Sequence, residues 1–195
     1  MQLSEIKTLI QRIESLLESL QQRKSDTTYF YENYDDGSSV TWRFANAPSP
    51  QKILDEVQTT AVWLWSLKDY LKERLKAINK NSNEVESYVN SCHHLPILAD
   101  IANRAKHGNL IKSRSGKFAE IEECIMSMNS CILKAVNDQD ANVDLLIDNP
   151  ESISYEIPIH DQNGNYLCDA LILLEKSFDE WKDFIKQQPH IRAVL

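Results

Sequence analysis

Glycine and proline are scarce in this chain, 4 and 6 of its 195 residues, which excludes collagen-like and low-complexity architectures because those need both in quantity. Long apolar runs are missing too, and no stretch approaches the roughly eighteen residues that a membrane span requires. The first residues, MQLSEIKTLIQRIE, place acids where a secretory leader would carry its apolar segment. A cytoplasmic chain with no membrane partner is therefore expected. Cysteine is sparse as well. Cys92, Cys124, Cys131 and Cys168 lack the close spacing of a zinc site or a disulfide framework, so reduced and mostly packed thiols are expected. No phosphate-cradling glycine loop, G-x-S-x-G elbow or dinucleotide fingerprint occurs. What is present, 42% hydrophobic and 26% charged residues, is the composition of an ordinary globular protein, and the length suits a single domain, 1–195.

Charge is unevenly distributed. Residues 1–115 carry 15 Lys+Arg against 14 Asp+Glu, whereas residues 116–195 carry 6 against 15. A polyanion would be repelled by the second part. Within the first part, residues 68–117 hold 10 bases and 5 acids.

Hydrophobic spacing gives the elements. Leu3, Ile6, Ile10, Ile13, Leu16 or Leu17 and Leu20 recur every three or four positions and predict a helix over 2–24. Residues 25–48 predict a hairpin, because aromatic and β-branched residues flank Asp36-Gly37, a dipeptide suited to the positive φ of a tight turn. Its aromatics, Tyr29, Tyr31, Trp42 and Phe44, are expected to seal one end of the core; stacking on a planar ligand is the other use of such residues. Ser49-Pro50 reads as a helix start, and the helix should run to about Asn79 with Lys68, Lys72, Lys76 and Lys80 as a basic stripe, either a solvated face or a phosphate-binding ridge. Ser82 should cap a third helix, interrupted before Pro96, with a further helix over 96–107 stopped by Gly108. Ile121, Ile125, Met128, Ile132 and Val136 predict another helix over 118–136, although IEECIMSM also suits a strand. Strands around 143–148 and 153–168 and a last helix over 169–187 complete the chain. The expected class is mainly α: a helical bundle of four to five helices over 1–136, with the hairpin excursion at 25–48 and a C-terminal hairpin and helix over 143–187.

The stretch DIANRAKHGNL, 100–110, concentrates polar chemistry in that framework. At about 100° per residue, Asp100, Asn103, Arg104 and His107 share one helical stripe. Ile97, Leu98, Ile101, Ala102 and Ala105 form the face expected to pack, so the polar stripe should face outward or toward a second subunit. A histidine near neutral pKa accepts a proton, a guanidinium stabilises a developing phosphorane and an amide orients a phosphate, which are the parts of a metal-independent ribonuclease. The same residues also make an ordinary helix end, with an i,i+4 pair between Asp100 and Arg104, and Lys106 and His107 favouring the C-terminal dipole. Cys92-His93-His94 with His107 does not give a convergent ligand set, and no metal and no cofactor are expected.

ANRAKH, late in an interrupted helix, resembles the R-(polar)-x-x-x-H signature of HEPN domains. These are helical proteins common in bacterial defence and toxin systems, and their active members are dimeric ribonucleases. On that resemblance Asn103 matches the polar position and His107 the histidine, while the family's arginine falls on Ala102. Losing one such cationic stabiliser costs about 2.7–4 kcal/mol in comparable sites. Arg104 lies on the right face to substitute but is out of register. Relatives without the arginine serve as structural, dimerising or nucleotide-binding modules. The chain is also similar to uncharacterised bacterial proteins that carry an AN..KH helix, a late hairpin and a terminal helix with tryptophan. The resemblance implies a non-catalytic binding or assembly module. The binding residues are then Asp100, Asn103, Lys106, Lys72 and Lys76, and the partner is a second copy, RNA or another protein. Its alternative is an RNA-cleaving enzyme with His107 as general base and Arg104 as charge stabiliser.

Overall fold

The structure, a computed structural model, describes residues 2–22, 27–45, 47–128, 133–138, 142–147 and 153–195. Its longest element, α2 (Pro50–Ala77), is about 42 Å long at 1.5 Å per residue. Ile53, Val57, Ala61, Leu64, Leu67, Leu71 and Leu75 follow one another at three- and four-residue steps and are buried along its length. Against it pack α1 (Leu3–Gln22), α4 (Leu95–His107) and α5 (Ala170–Gln187), and buried residues of these helices, among them Ile6, Ile13, Leu98, Leu174 and Trp181, join one hydrophobic core with those of α2. The short α3 (Asn83–Ser91) joins α2 to α4. The molecule is thus mainly α with small strand elements. Among the described residues, no helix is long and apolar enough to cross a membrane.

Local chemistry sets the helix ends. Ser49 Oγ accepts the Lys52 amide at 3.2 Å, the cap its position before Pro50 predicts. Asp169 caps α5 by accepting the Leu171 amide at 2.8 Å, and its second oxygen takes the Ile157 amide at 2.8 Å. Gly108 ends α4 at φ 77 with its amide on the Arg104 carbonyl, a left-handed position that glycine adopts without steric cost. Ser82 makes no side-chain cap on α3; the Asn81 side chain accepts the Asn83 amide at 3.0 Å in its place.

Among the described residues the strands form three small sheets. β1 (Thr27–Asn33) and β2 (Ser39–Ala45) make the expected hairpin, whose turn is fixed by Asp36 accepting the Ser38 amide and by Gly37 at φ 84. β2 then pairs in parallel with β6 (Asn142–Ile147), which pairs antiparallel with β5 (Leu133–Asp138). The order is β1-β2-β6-β5, so the two β regions read separately from the sequence share one sheet. A second strip pairs β3 (Glu120–Ile121) with β8 (Pro158–His160), continues to β9 (Tyr166–Asp169), and is followed by β4 (Ile125–Met128) against β7 (Ile153–Glu156).

The helix expected over 118–136 is therefore not formed. Helical packing would bury Ile125, but Ile125 is exposed and the neighbouring Met126 packs inward, directly across from buried Tyr155. Cross-strand burial with period two overrides a three-to-four spacing of apolar residues that suited either element. The aromatics of the hairpin also depart from expectation. Tyr29 is 50% and Tyr31 72% exposed, and only one face of the hairpin, with Phe44, reaches the core. Cys131 lies outside the described residues.

Candidate functional site

Asp100 is the only charged side chain fully withdrawn from solvent among the described residues. A carboxylate in that position needs donors, since burying its charge without them is severely unfavourable. It has several. Oδ1 accepts the Arg114 amide at 2.7 Å, and Oδ2 accepts the Ser113 hydroxyl at 2.6 Å, the Ser115 hydroxyl and the Ala119 amide. All of these donors belong to the irregular segment that follows α4. Arg104, one helical turn on, holds the same segment from its carbonyl side: Nε donates to Ala119 O at 3.0 Å, Nη2 donates to Phe118 O at 3.1 Å and pairs with Glu120 at 3.0 Å. Phe118, at φ 55, is kept in this unfavourable left-handed conformation by the Arg104 bond to its carbonyl and by its own amide donating to Ser113 Oγ at 3.0 Å.

These contacts overturn the placement of Asp100 on an outward stripe. About two turns of helix separate Asp100 from the exposed end of α4 at His107, and the 113–119 segment covers it. Asp100 and Arg104 therefore both engage the loop, in place of the i,i+4 pair their spacing suggested. Asn103 is half-buried, while Lys106 and His107, on the last turn of α4, are exposed. Ala105, expected to pack, is exposed as well. Of the four stripe residues, two are structural clamps and two remain accessible.

The basic stripe on α2 is similarly committed. Lys72 Nζ donates to Glu86 of α3 at 2.5 Å, Lys68 lies 3.8 Å from the same carboxylate and 4.6 Å above the Trp65 ring, and Arg114 donates to Glu86 at 2.6 Å and to Asn90 at 2.8 Å. Burial opposes the charge on Glu86, but the hydrogen bonds from Lys72 and Arg114 and the nearby cations prevail and lower its pKa to about 2. Lys76 pairs with Glu73 at 2.8 Å, both half-exposed. Lys72 and Lys76 thus carry local partners, and Lys72 and Arg114 tie α2, α3 and the loop together.

No protein-family model, curated protein or solved structure matches this chain. Its chemistry is read from the geometry alone. Residues 101–119 contain Arg104, Lys106, Lys112, Arg114 and Lys117 and no acid. Arg104 and Arg114 are ion-paired. Lys106, Lys112 and Lys117 are exposed and, among the described residues, take part in no ion pair. Ile111, at 97% exposure, projects from the same loop. Two open clefts border it. One, of about 370 Å³, lies between α2, α4 and β3 with Arg104 and Glu120 on its wall; the other, of about 340 Å³, is lined by His93, Arg114, Ser115 and Lys117.

Thiol chemistry finds no support in these surroundings. Burial, reinforced by the charge of Glu180, raises the Cys92 pKa to about 11, and burial with Asp169 raises Cys124 and Cys168 to about 11. Each is a protonated, unreactive thiol at neutral pH. His94 is turned onto Glu180, with Nδ1 at 2.8 Å from the carboxylate. Among the described residues no three His, Cys, Asp or Glu side chains are arranged to hold a metal ion. Sequence reasoning missed the serines at 113 and 115 and the acids Glu86 and Glu120. The signal for the serines was present: a buried helix aspartate needs short-range donors, and SRS lies one loop away.

Proposed function

We propose that this chain is a non-catalytic RNA-binding module with a helical-bundle core, similar to HEPN domains that lack the arginine, and that its binding face is the end of α4 with the basic loop after it. One observation carries this reading: a run of nineteen residues, 101–119, without an acid presents Lys106, Lys112 and Lys117 to solvent, and among the described residues none of the three takes part in an ion pair. Phosphates are attracted to such a cluster largely through counterion release, which needs charge and little sequence recognition.

Catalysis is the weaker reading on the same residues. A ribonuclease would use a cation free to meet the developing phosphorane charge, and the guanidinium of Arg104 is engaged with two backbone carbonyls and Glu120. His107 alone provides a base without that stabiliser.

The test is fluorescence anisotropy with a labelled single-stranded RNA across a salt series. Three phosphate contacts give a slope of log K against log salt of roughly −2. The triple variant Lys106→Glu, Lys112→Glu, Lys117→Glu should lose binding at every salt concentration, and RNA incubated in EDTA should remain intact. Binding that ignores salt, or that survives the triple change, overturns the reading. Cleavage abolished by His107→Ala would replace it with the nuclease.

A further inference from the structure

Among the described residues β1 is an edge strand of the four-stranded sheet. Across Thr27–Asn33 it contains no lysine, no proline and no bulge, its one charge is Glu32, and five of its seven residues are exposed. The direction of its free edge follows from the hairpin. The Tyr34 amide donates to Ser38 O at 2.9 Å, so Tyr34 and Ser38 form a hydrogen-bonded pair and alternate residues back along β1, Glu32, Phe30 and Thr28, turn their backbone groups to β2. Tyr29 and Tyr31 therefore turn theirs outward. The side chains alternate in the other sense, with Tyr29 and Tyr31 on one face and Phe30 on the face where its ring meets Phe44 edge-on at 5.2 Å.

We propose that β1 is the dimerisation edge of this protein, pairing antiparallel with β1 of a second copy about a two-fold axis through Phe30. Three features select that occupant and that register. Phe30 is the midpoint of the strand Thr27–Asn33, so pairing on it centres one strand on the other. It sets Tyr29 against Tyr31 of the second copy, and Tyr31 against Tyr29, which are the residues whose amides and carbonyls point outward. Donors then meet acceptors on both strands. It also sets aromatic on aromatic on each face, Tyr29 over Tyr31 and Phe30 over Phe30, the favourable cross-strand combination. The single charge of the strand, Glu32, falls opposite Thr28, so no like charges face one another. The product is one continuous eight-stranded sheet with a closed, self-complementary interface, the commonest symmetry of soluble oligomers. This surface shares no residue with the basic loop, and the assignment stands independently of the RNA-binding reading.

The experiment measures the mass of the intact chain by light scattering over a concentration series. The parent should approach twice 22.5 kDa as concentration rises. Variant Tyr29→Lys/Tyr31→Lys and variant Tyr29→Glu/Tyr31→Glu each place like charges opposite one another twice, and each should weaken association by at least about tenfold. Mixing the two variants aligns lysine with glutamate at both positions and should restore the dimer, which also shows that both are folded. Oxidation of Phe30→Cys should yield a disulfide-linked dimer, since the two-fold places that residue against itself in a non-hydrogen-bonded pair with Cα atoms about 4.5 Å apart. A parent that stays at 22.5 kDa throughout, a dimer indifferent to the lysine pair, or variants that fail to associate when mixed would each overturn the assignment.

Discussion

The loop after α4 and the hairpin before α2 are both surface connections, and they are built in opposite ways. The loop, 108–119, has no regular secondary structure, yet the amides of Arg114, Lys117, Phe118 and Ala119 and the carbonyls of Phe118 and Ala119 are bonded to Asp100, Arg104 or its own serines. The hairpin has a complete ladder of backbone pairs, yet it leaves Tyr29, Tyr31 and Tyr34 largely in solvent. A charged residue occupies the interior in one region and aromatics occupy the surface in the other. Residue type sets the cost of each placement, and partners decide whether the cost is met: the carboxylate has donors on both oxygens, whereas tyrosines tolerate water through their hydroxyls.

Breaking the loop should have the largest effect. Asp100→Ala strands two serine hydroxyls and two amides beneath a covering segment, and a loss of about 3 kcal/mol or more is expected in urea unfolding. Retention of full stability would mean that water replaces the carboxylate and that the loop is not clamped. The link from α2 and α3 to the same loop through Glu86 is weaker and depends on pH. Its folded pKa of about 2 lies below the ordinary glutamate value of 4.5. Its stabilisation is therefore complete above about pH 4.5 and disappears as pH falls toward 2, an effect of about 1 kcal/mol after allowance for solvent screening. Glu86→Gln should remove that part of the acid dependence, as a pH series of thermal melts will reveal. The hairpin supplies the contrast: Tyr31→Ser, measured where the chain is dilute and monomeric, should change stability by no more than about 0.5 kcal/mol. A larger loss would show that the exposed face packs on something within the chain.

Periodicity was informative where an element was long and buried on one side. The α2 pattern from Ile53 to Leu75 has one consistent reading, and Ser49, Pro50, Gly108 and Asp36-Gly37 mark their boundaries through backbone chemistry that acts locally. It was ambiguous at 118–136, because a strand buried on one face by a distant partner, β7, satisfies the same apolar positions as a helix. The parallel pairing of β2 with β6 leaves no local trace, as it joins segments about a hundred residues apart. The site divided in the same manner. The helical stripe of Asp100, Arg104 and His107 follows from angular spacing, but which member is covered depends on where the next loop folds back. Nothing in α4 itself distinguishes a solvated Asp100 from one clasped by Ser113 and Ser115. Lys72 likewise looks available on its own helix and is neutralised by a carboxylate from the next one.

The start of α4 carries an implication for how the chain is made. The amides of His94 and Leu95 are received by the Glu180 carboxylate at 3.2 and 3.0 Å, and the Tyr88 hydroxyl donates to the Glu180 carbonyl at 2.7 Å. Synthesis runs from α4 toward α5, so while the ribosome is translating the intervening strands, the helix that bears the polar stripe lacks the Glu180 carboxylate as acceptor for its first amides. Its opening is completed by a residue that emerges some eighty-five codons later. The nascent protein must hold Leu95 and its neighbours on water until then, and the whole of this region reaches its final form as a late, post-emergence event.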